Sequence, residues 1–173
     1  MIRDKGMLKK LLIEKDYVNK KIVFVCIGTD RATGDCLGPL VGTFLNDKNY
    51  IVYGTLENPI HAKNLEKRMK EIEEIHSNDI IIAIDASLGK EEDISKVYIS
   101  DEPVHPRSAI DNSFKGVGDM SITGIVNFSG FLPHTILQNT RFNVVYDMAK
   151  EIVKEINYTF RSLKITKTHK YIK

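Results

Sequence analysis

Two short stretches of this chain contain no polar residue: Ile22-Val23-Phe24-Val25-Cys26-Ile27 and Ile80-Ile81-Ile82-Ala83-Ile84. A strand with one wet face alternates apolar and polar side chains. An unbroken apolar run of this length, bounded by polar residues, reads instead as a strand buried on both faces, as in parallel sheets covered by helices. The first run leads into the polar segment Gly28-Thr29-Asp30-Arg31-Ala32-Thr33-Gly34-Asp35, and the second ends on Asp85. Chemistry in α/β sheets gathers at the carboxyl ends of the strands. If the two strands are neighbours, Asp35 and Asp85 meet at one edge of the sheet.

The rest of the chain supports that architecture. Leu8, Leu11 and Leu12 suggest a short amphipathic helix within residues 7–17. Residues 36–46 form an apolar-periodic segment that reads as a helix after the polar loop. Residues 50–54 read as a strand, stopped before Pro59. Leu65, Met69, Ile72 and Ile75 recur at spacings of four and three, one face of a helix. Val97-Tyr98-Ile99 reads as a short strand, and residues 121–126 fit either a strand or a helix. Val145, Met148, Ile152, Ile156 and Phe160 form one stripe of a helix over 142–160. Strands alternating with helices predict βαβ units and a single three-layer α/β domain with a central, mainly parallel (mixed) sheet. Strands 22–27 and 80–84 are expected to be adjacent, with their C-terminal ends on the same edge. The core is expected within about residues 20–160, with 1–19 and 161–173 peripheral. The irregular segment from about 101 to 120, rich in Pro, Gly, Asp and Ser, has the length of a functional loop.

Composition narrows the function classes. With 25 basic residues scattered among 23 acidic ones, a net charge of +2 gives no reason to expect nucleic acid or an anionic membrane as partner. The locally basic stretch Lys164 to Lys173 reads as a solvated tail. No secretory apolar region opens the sequence, and the apolar runs are too short to span a bilayer. Cys26 and Cys36 lack metal-type spacing and fit a reducing cytoplasm. Cys36 lies in the motif loop, but no histidine is close in sequence, so it reads as a small residue at a helix start.

The motif loop does not read as a phosphate cradle. No Lys-Ser/Thr pair follows Gly34, Gly116-Val117-Gly118 lacks a third glycine at dinucleotide-binding spacing, and Asp35 would repel an anion at the helix start. Asp35 could simply cap that helix, but a cap does not explain why the second buried run also ends on Asp85. Two carboxylates at strand ends can share a proton and activate a water, or they can bind a divalent cation. The histidines at 61, 76, 105, 134 and 169 make no zinc signature. Only His105, on the long loop, stands out. Asp30 and Asp119 fit either turn positions or the rim of a site.

The segments Cys26 to Gly42, Gly118-Asp119-Met120-Ser121-Ile122-Thr123-Gly124-Ile125-Val126-Asn127 and Leu137-Gln138-Asn139-Thr140-Arg141 resemble the YyaC-type sporulation proteins of endospore-forming bacteria. The resemblance runs from about residue 20 to 160. That family is similar in turn to the spore germination protease, which degrades small acid-soluble spore proteins, and more distantly to hydrogenase maturation proteases. The germination protease pattern Thr-Pro-Asp-Ala-Leu-Gly-Pro matches Thr33-Gly34-Asp35-Cys36-Leu37-Gly38-Pro39. Its Ile-Asp-Ala-Leu matches Ile84-Asp85-Ala86-Ser87. The resemblance therefore implies functional roles for Asp35 and Asp85. In the hydrogenase proteases these two positions help to bind a metal with a third, histidine ligand. The position best matched to that ligand is near Asp119, where no histidine stands, and this speaks against a nickel-type site.

The expected activity is an aspartate-dependent, endopeptidase-like hydrolase of the sporulating cell or forespore cytoplasm, acting on a protein or peptide substrate. Asp35 and Asp85 would activate the water, with Thr29, Asp30 and Asp119 at the rim and a backbone N–H of the 28–34 loop on the oxyanion. Neither a cofactor nor a metal is expected. Consecutive residues at a helix start diverge by about 100°, so Cys36 is poorly placed to join Asp35 on an ion. The alternative is a catalytically silent relative that uses the same cleft for recognition.

Overall fold

The computed structural model describes residues 2–106 and 116–165. Strands β1 (Ile22–Cys26), β2 (Ile51–Tyr53), β3 (Ile80–Gly89), β4 (Val97–Ser100) and β5 (Met120–Phe128) form one sheet in the order β2-β1-β3-β5-β4. β1 pairs in parallel with both β2 and β3, and β3 in parallel with β5. Only β4, at the outer edge, runs antiparallel. The β1–β3 register runs from Ile22↔Ile80 to Cys26↔Ile84. The two apolar runs are therefore neighbours with their carboxyl ends on one edge, as expected.

The two-residue period of the strands sorts their side chains between two helical layers. Phe24, Cys26, Ile82 and Ile84 join the core that includes Leu12 of α1 (Met7–Glu14), Leu40 of α2 (Leu37–Asn46) and Ile152 of α5 (Phe142–Leu163). Val23, Val25, Ile81 and Ala83 pack with Leu65, Met69 and Ile72 of α3 (Leu65–Ile75). Helices thus cover both faces. Rings lock the first layer: Tyr50 meets Phe24 and Phe160 edge to face, with centroids 5.7 and 4.8 Å apart.

Two expectations need correction, one alternative is decided, and one element had no sequence expectation. The stretch before residue 20 is not peripheral, because Leu8 and Leu12 are fully buried and Leu11 nearly so. Residues 121–126 are strand, within β5. β3 does not stop at Ile84 but runs on to Gly89, because β5 continues beside it after β1 has ended. A short helix, α4 (Pro133–Gln138), follows β5 with no apolar period to announce it. Residues 107–115 of the long loop and 166–173 of the basic tail lie outside the described residues. The described flanks of the loop are joined by an antiparallel bridge, Val104↔Val117. Among the described residues, no helix is long and apolar enough to cross a membrane.

Candidate functional site

The loop after β1 is folded by its own backbone. Gly28 takes φ +138° and donates its N–H to the Ile60 carbonyl at 2.8 Å. A Cβ at this position would overlap the Asp35 carbonyl oxygen, so only glycine lets the chain turn here. Thr29 N–H then donates to that same Asp35 carbonyl at 3.1 Å, and Asp35 N–H donates to Ala32 at 3.0 Å. The loop closes on itself and sets Asp35 in a single 3-10 turn, Gly34–Cys36, just before α2. Cys36, not Asp35, holds the N-cap position of α2, and no side chain caps the helix. The carboxylate of Asp35 is therefore not spent on capping.

Asp85 sits within β3 at the step where β1 gives out. Ile27 N–H makes the last bond across, to Ile84 O at 2.8 Å, and from Asp85↔Thr123 onward β3 pairs only with β5. The Asp85 Oδ1 accepts the Ala86 N–H at 2.9 Å. Burial and the negative charge of Asp35 push the Asp85 carboxyl up to about 7, against the pull of the Ala86 amide. Burial also raises Asp35, while the Thr29 amide and the imidazoles of His134 and His61 act to lower it. The two carboxylates thus share one electrostatic environment. Both carboxyls are raised, Asp85 the more strongly, by burial and by the charge of Asp35.

The other expected site residues divide. Thr29 is half-buried in the loop, its Oγ1 accepting the Arg31 N–H at 3.3 Å. Asp30 is exposed on the same loop, and its charge reaches Cys36. Burial, Asp30 and Asp35 all raise the Cys36 thiol, which keeps it protonated and unsuited to nucleophilic attack. Asp119 is not at the rim. Its Oδ2 accepts Ile81 N–H at 2.9 Å and its own N–H donates to Ile81 O at 2.7 Å. It therefore precedes β5 at the opposite end of the sheet, four residues or about 13 Å from the level of Asp85. Because β5 is parallel to β3, a residue before its first position must lie at the amino edge.

Two histidines that carry no site signal in the sequence act on Asp35 through their charge, His134 and His61. His61 follows β2, with Nδ1 accepting the Lys63 N–H at 3.3 Å. His134 lies in the first turn of α4, with Nε2 3.2 Å from the Gln138 amide nitrogen. α4 is held against the motif loop by contacts that permit no side chain at Gly34, where a Cβ would come within 2.8 Å of both Leu137 and Thr140. Thr140 Oγ1 donates to Ile136 O at 2.9 Å and accepts from Asn127 Nδ2 at 3.2 Å, tying α4 to the end of β5. The third ligand position expected near Asp119 thus falls at the wrong end, and the imidazoles that act on Asp35 come from elsewhere. The charges acting on Asp35 come from His134 and His61, not from His105. Among the described residues, no three His, Cys, Asp or Glu side chains converge closely enough to hold a metal ion. As arranged, the residues do not make a ligand set, and the chemistry below runs through none.

The fold matches known structures. The [NiFe] hydrogenase maturation protease HycI from Thermococcus kodakarensis KOD1 superposes with a TM-score of 0.57 at 18% identity, covering 87% of this chain and 99% of that one. HybD, a [NiFe] hydrogenase maturation protease from Thermococcus kodakarensis, does so with 0.55 at 14%, covering 80% and 97%. By sequence, the uncharacterized protein YyaC of Bacillus subtilis (strain 168) is 44% identical over 146 residues, 83% of this chain and 71% of that protein. Residues 4–155 match the family described as "Protein of unknown function (DUF1256)". On both the family match and the identity to YyaC, this chain belongs to the DUF1256 family.

Proposed function

We propose that this protein is an endopeptidase-like hydrolase that cleaves a protein substrate with a water activated by Asp35 and Asp85. The observation that carries the reading is the coupled carboxyl pair at the carboxyl edge of β1 and β3, one member pushed up to about 7 partly by the charge of the other. A pair with one carboxyl protonated and one ionised supplies a base and an acid together. Asp35, whose ionised form the Thr29 amide and two imidazoles favour, takes a proton from the water as its oxygen attacks the scissile carbonyl carbon. A backbone N–H of the 28–34 loop faces the oxyanion. As the C–N bond breaks, Asp85 gives its proton to the leaving amine. The proton on Asp35 returns the pair to its starting state. The protease-like fold supports this reading, and so does the resemblance of the motif segments to sporulation and germination proteins, which is the reason to assign the work to the cytoplasm of a sporulating cell.

The test is incubation of the purified protein with small acid-soluble spore proteins, beside Asp35→Asn and Asp85→Asn variants. Cleavage lost in both variants, and retained in EDTA, supports the reading. Binding without cleavage that survives both substitutions would instead identify a recognition protein that has kept the cleft. Loss of cleavage in EDTA, with recovery on one added divalent metal, would replace the water-only mechanism by a metal-assisted one.

A further inference from the structure

A groove of about 890 Å³ opens where the end of α2 lies against α5. Two contacts fix how the chain runs along it. Phe44, in the last turn of α2, meets Tyr146 edge to face at 6.0 Å. Tyr50, just past that helix, donates its hydroxyl to Asn157 Oδ1 at 3.0 Å. α2 and the turn after it therefore follow α5 toward its C-terminus. At about 100° per residue, Tyr146, Lys150, Lys154, Asn157 and Arg161 fall within about 80° of one another, on one face of α5. That face lines the groove together with Lys48, which follows α2.

The groove is positive. Lys48, Lys150, Lys154 and Arg161 are exposed, and among the described residues none of them makes an ion pair. Asp47 and Glu151 also line it, so four cations stand against two carboxylates, a local surplus of two positive charges. The Lys150 ammonium stands 5.2 Å over the Tyr146 ring, which sets a cation beside the aromatic pair. Three kinds of partner carry the opposite charge, and they make different demands. A membrane is entered by apolar side chains that project from a face, whereas Phe44 is half-buried. A nucleic acid brings a phosphate at every step, which Asp47 and Glu151 would repel. An acidic polypeptide can set carboxylates opposite the cations, neutral residues opposite Asp47 and Glu151, and an apolar side chain on the rings.

We infer that the groove between the end of α2 and α5 binds an acidic segment of a partner protein, with carboxylates set against Lys150, Lys154 and Arg161 and an apolar side chain against Phe44 and Tyr146. Asp35 stands just before the first turn of α2, and the groove lies at the other end of that helix, about 10–15 Å along its axis. A partner held there leaves Asp35 and Asp85 free. The inference goes beyond the hydrolase reading and does not depend on it.

The test follows fluorescence anisotropy of a labelled peptide pool made of Glu, Ser and Phe. Its companions are a pool with Gln for every Glu, a pool with Ser for every Phe, single-stranded DNA, and phosphatidylserine vesicles. The expected result is saturable binding of the first pool, weakened about tenfold or more by either replacement and by the double variant Lys150→Glu with Lys154→Glu. Lys150→Gln with Lys154→Gln, which adds no negative charge at these exposed positions, should weaken it in the same direction by less. Asp35→Asn should bind as the unaltered protein does. No saturable binding, equal binding of the Gln pool, no loss in the charge variants, or tighter binding of DNA or vesicles overturns the inference. Loss of binding in Asp35→Asn would place the peptide in the carboxyl cleft and overturn it too, leaving the hydrolase reading intact. Binding as expected, in a protein that cleaves nothing, would remove the hydrolase reading alone.

Discussion

Two buried polar clusters in this molecule are built from similar parts and behave in opposite ways. At the amino end of the sheet, His76, only 3% exposed, lies with Nε2 2.9 Å from the Tyr53 hydroxyl and Nδ1 2.7 Å from Asp79 Oδ2. Asp79 also accepts the Lys21 N–H at 3.0 Å. Each ring nitrogen faces a partner, and the cluster pins β2, the end of α3 and the start of β1 to one another. At the carboxyl end, two carboxylates face each other's field with few donors between them. The first cluster is complementary and its groups are satisfied. The second is frustrated, and burial, with like charge added at Asp85, raises both carboxyls. The difference teaches where to look for chemistry: in the polar cluster whose demands are unmet, not in the one with the more familiar Tyr-His-Asp arrangement.

The comparison breaks most visibly on activity. Asp35→Asn and Asp85→Asn are each expected to lower the rate of peptide cleavage by about 10²–10⁴-fold, the usual weight of a general acid or base. His76→Ala should leave the shape of the pH–rate profile intact. The profile itself should be a bell, falling above about pH 7 as Asp85 loses its proton and falling on the acid side as Asp35 gains one. A His76→Ala protein with a displaced profile would show that the two clusters are not separate.

On stability the order reverses. His76→Ala strands the Asp79 carboxylate and the Tyr53 hydroxyl and is expected to cost about 2–4 kcal/mol in urea unfolding. Asp85→Asn should stabilise the protein, and only at higher pH. The folded pKa of Asp85 lies above its unfolded value, so between about pH 4 and pH 7 the native state binds more protons than the unfolded one. Stability therefore falls as pH rises through that window and then levels off. The asparagine variant escapes the loss and should gain on the order of 4 kcal/mol at pH 8, and almost nothing at pH 4. Equal gains at both values would mean that the charge of Asp85 is not what its burial opposes.

The smallest effect expected is at Asp119. Asp119→Ala removes the acceptor for Ile81 N–H and should cost about 1 kcal/mol of stability while cleavage is unchanged. A large loss of activity would return Asp119 to the site from which its position in the sheet removes it.

How far the sequence could be read follows from the kind of signal each feature carries. Ile22–Ile27 and Ile80–Ile84 announced buried strands because both of their faces demand apolar residues, and their pairing put Asp35 and Asp85 at one edge. Asp85-Ala86-Ser87 hid the rest of β3. There the strand is held by main-chain pairing to β5, which leaves no mark on side-chain pattern. Residues 121–126 stayed ambiguous for want of a clear period, and with them the position of Asp119. Read as a strand parallel to β3, this segment would have sent Asp119 to the amino end. α4 gave no warning because it buries no residue and is held by Thr140 and Asn127. His61 and His134, far from Asp35 along the chain, reach its surroundings only through tertiary packing.

The position of β3 between β1 and β5 also governs when the protein can become competent. β3 meets β1 from across a long crossover and meets β5 across another, so neither pairing is local. Contacts this distant along the chain form late, after the entropy of closing both loops has been overcome. Asp85 enters its environment only when β3 has docked on β1 and the segment that carries β5 and α4 has been made and folded. A chain emerging from synthesis holds both aspartates long before it holds the pair, and fragments that end before β5 fall short of the sheet that shifts Asp85. The surroundings that shift Asp85 are thus assembled from segments far apart in the chain, and β5 is the last of the sheet's strands in sequence.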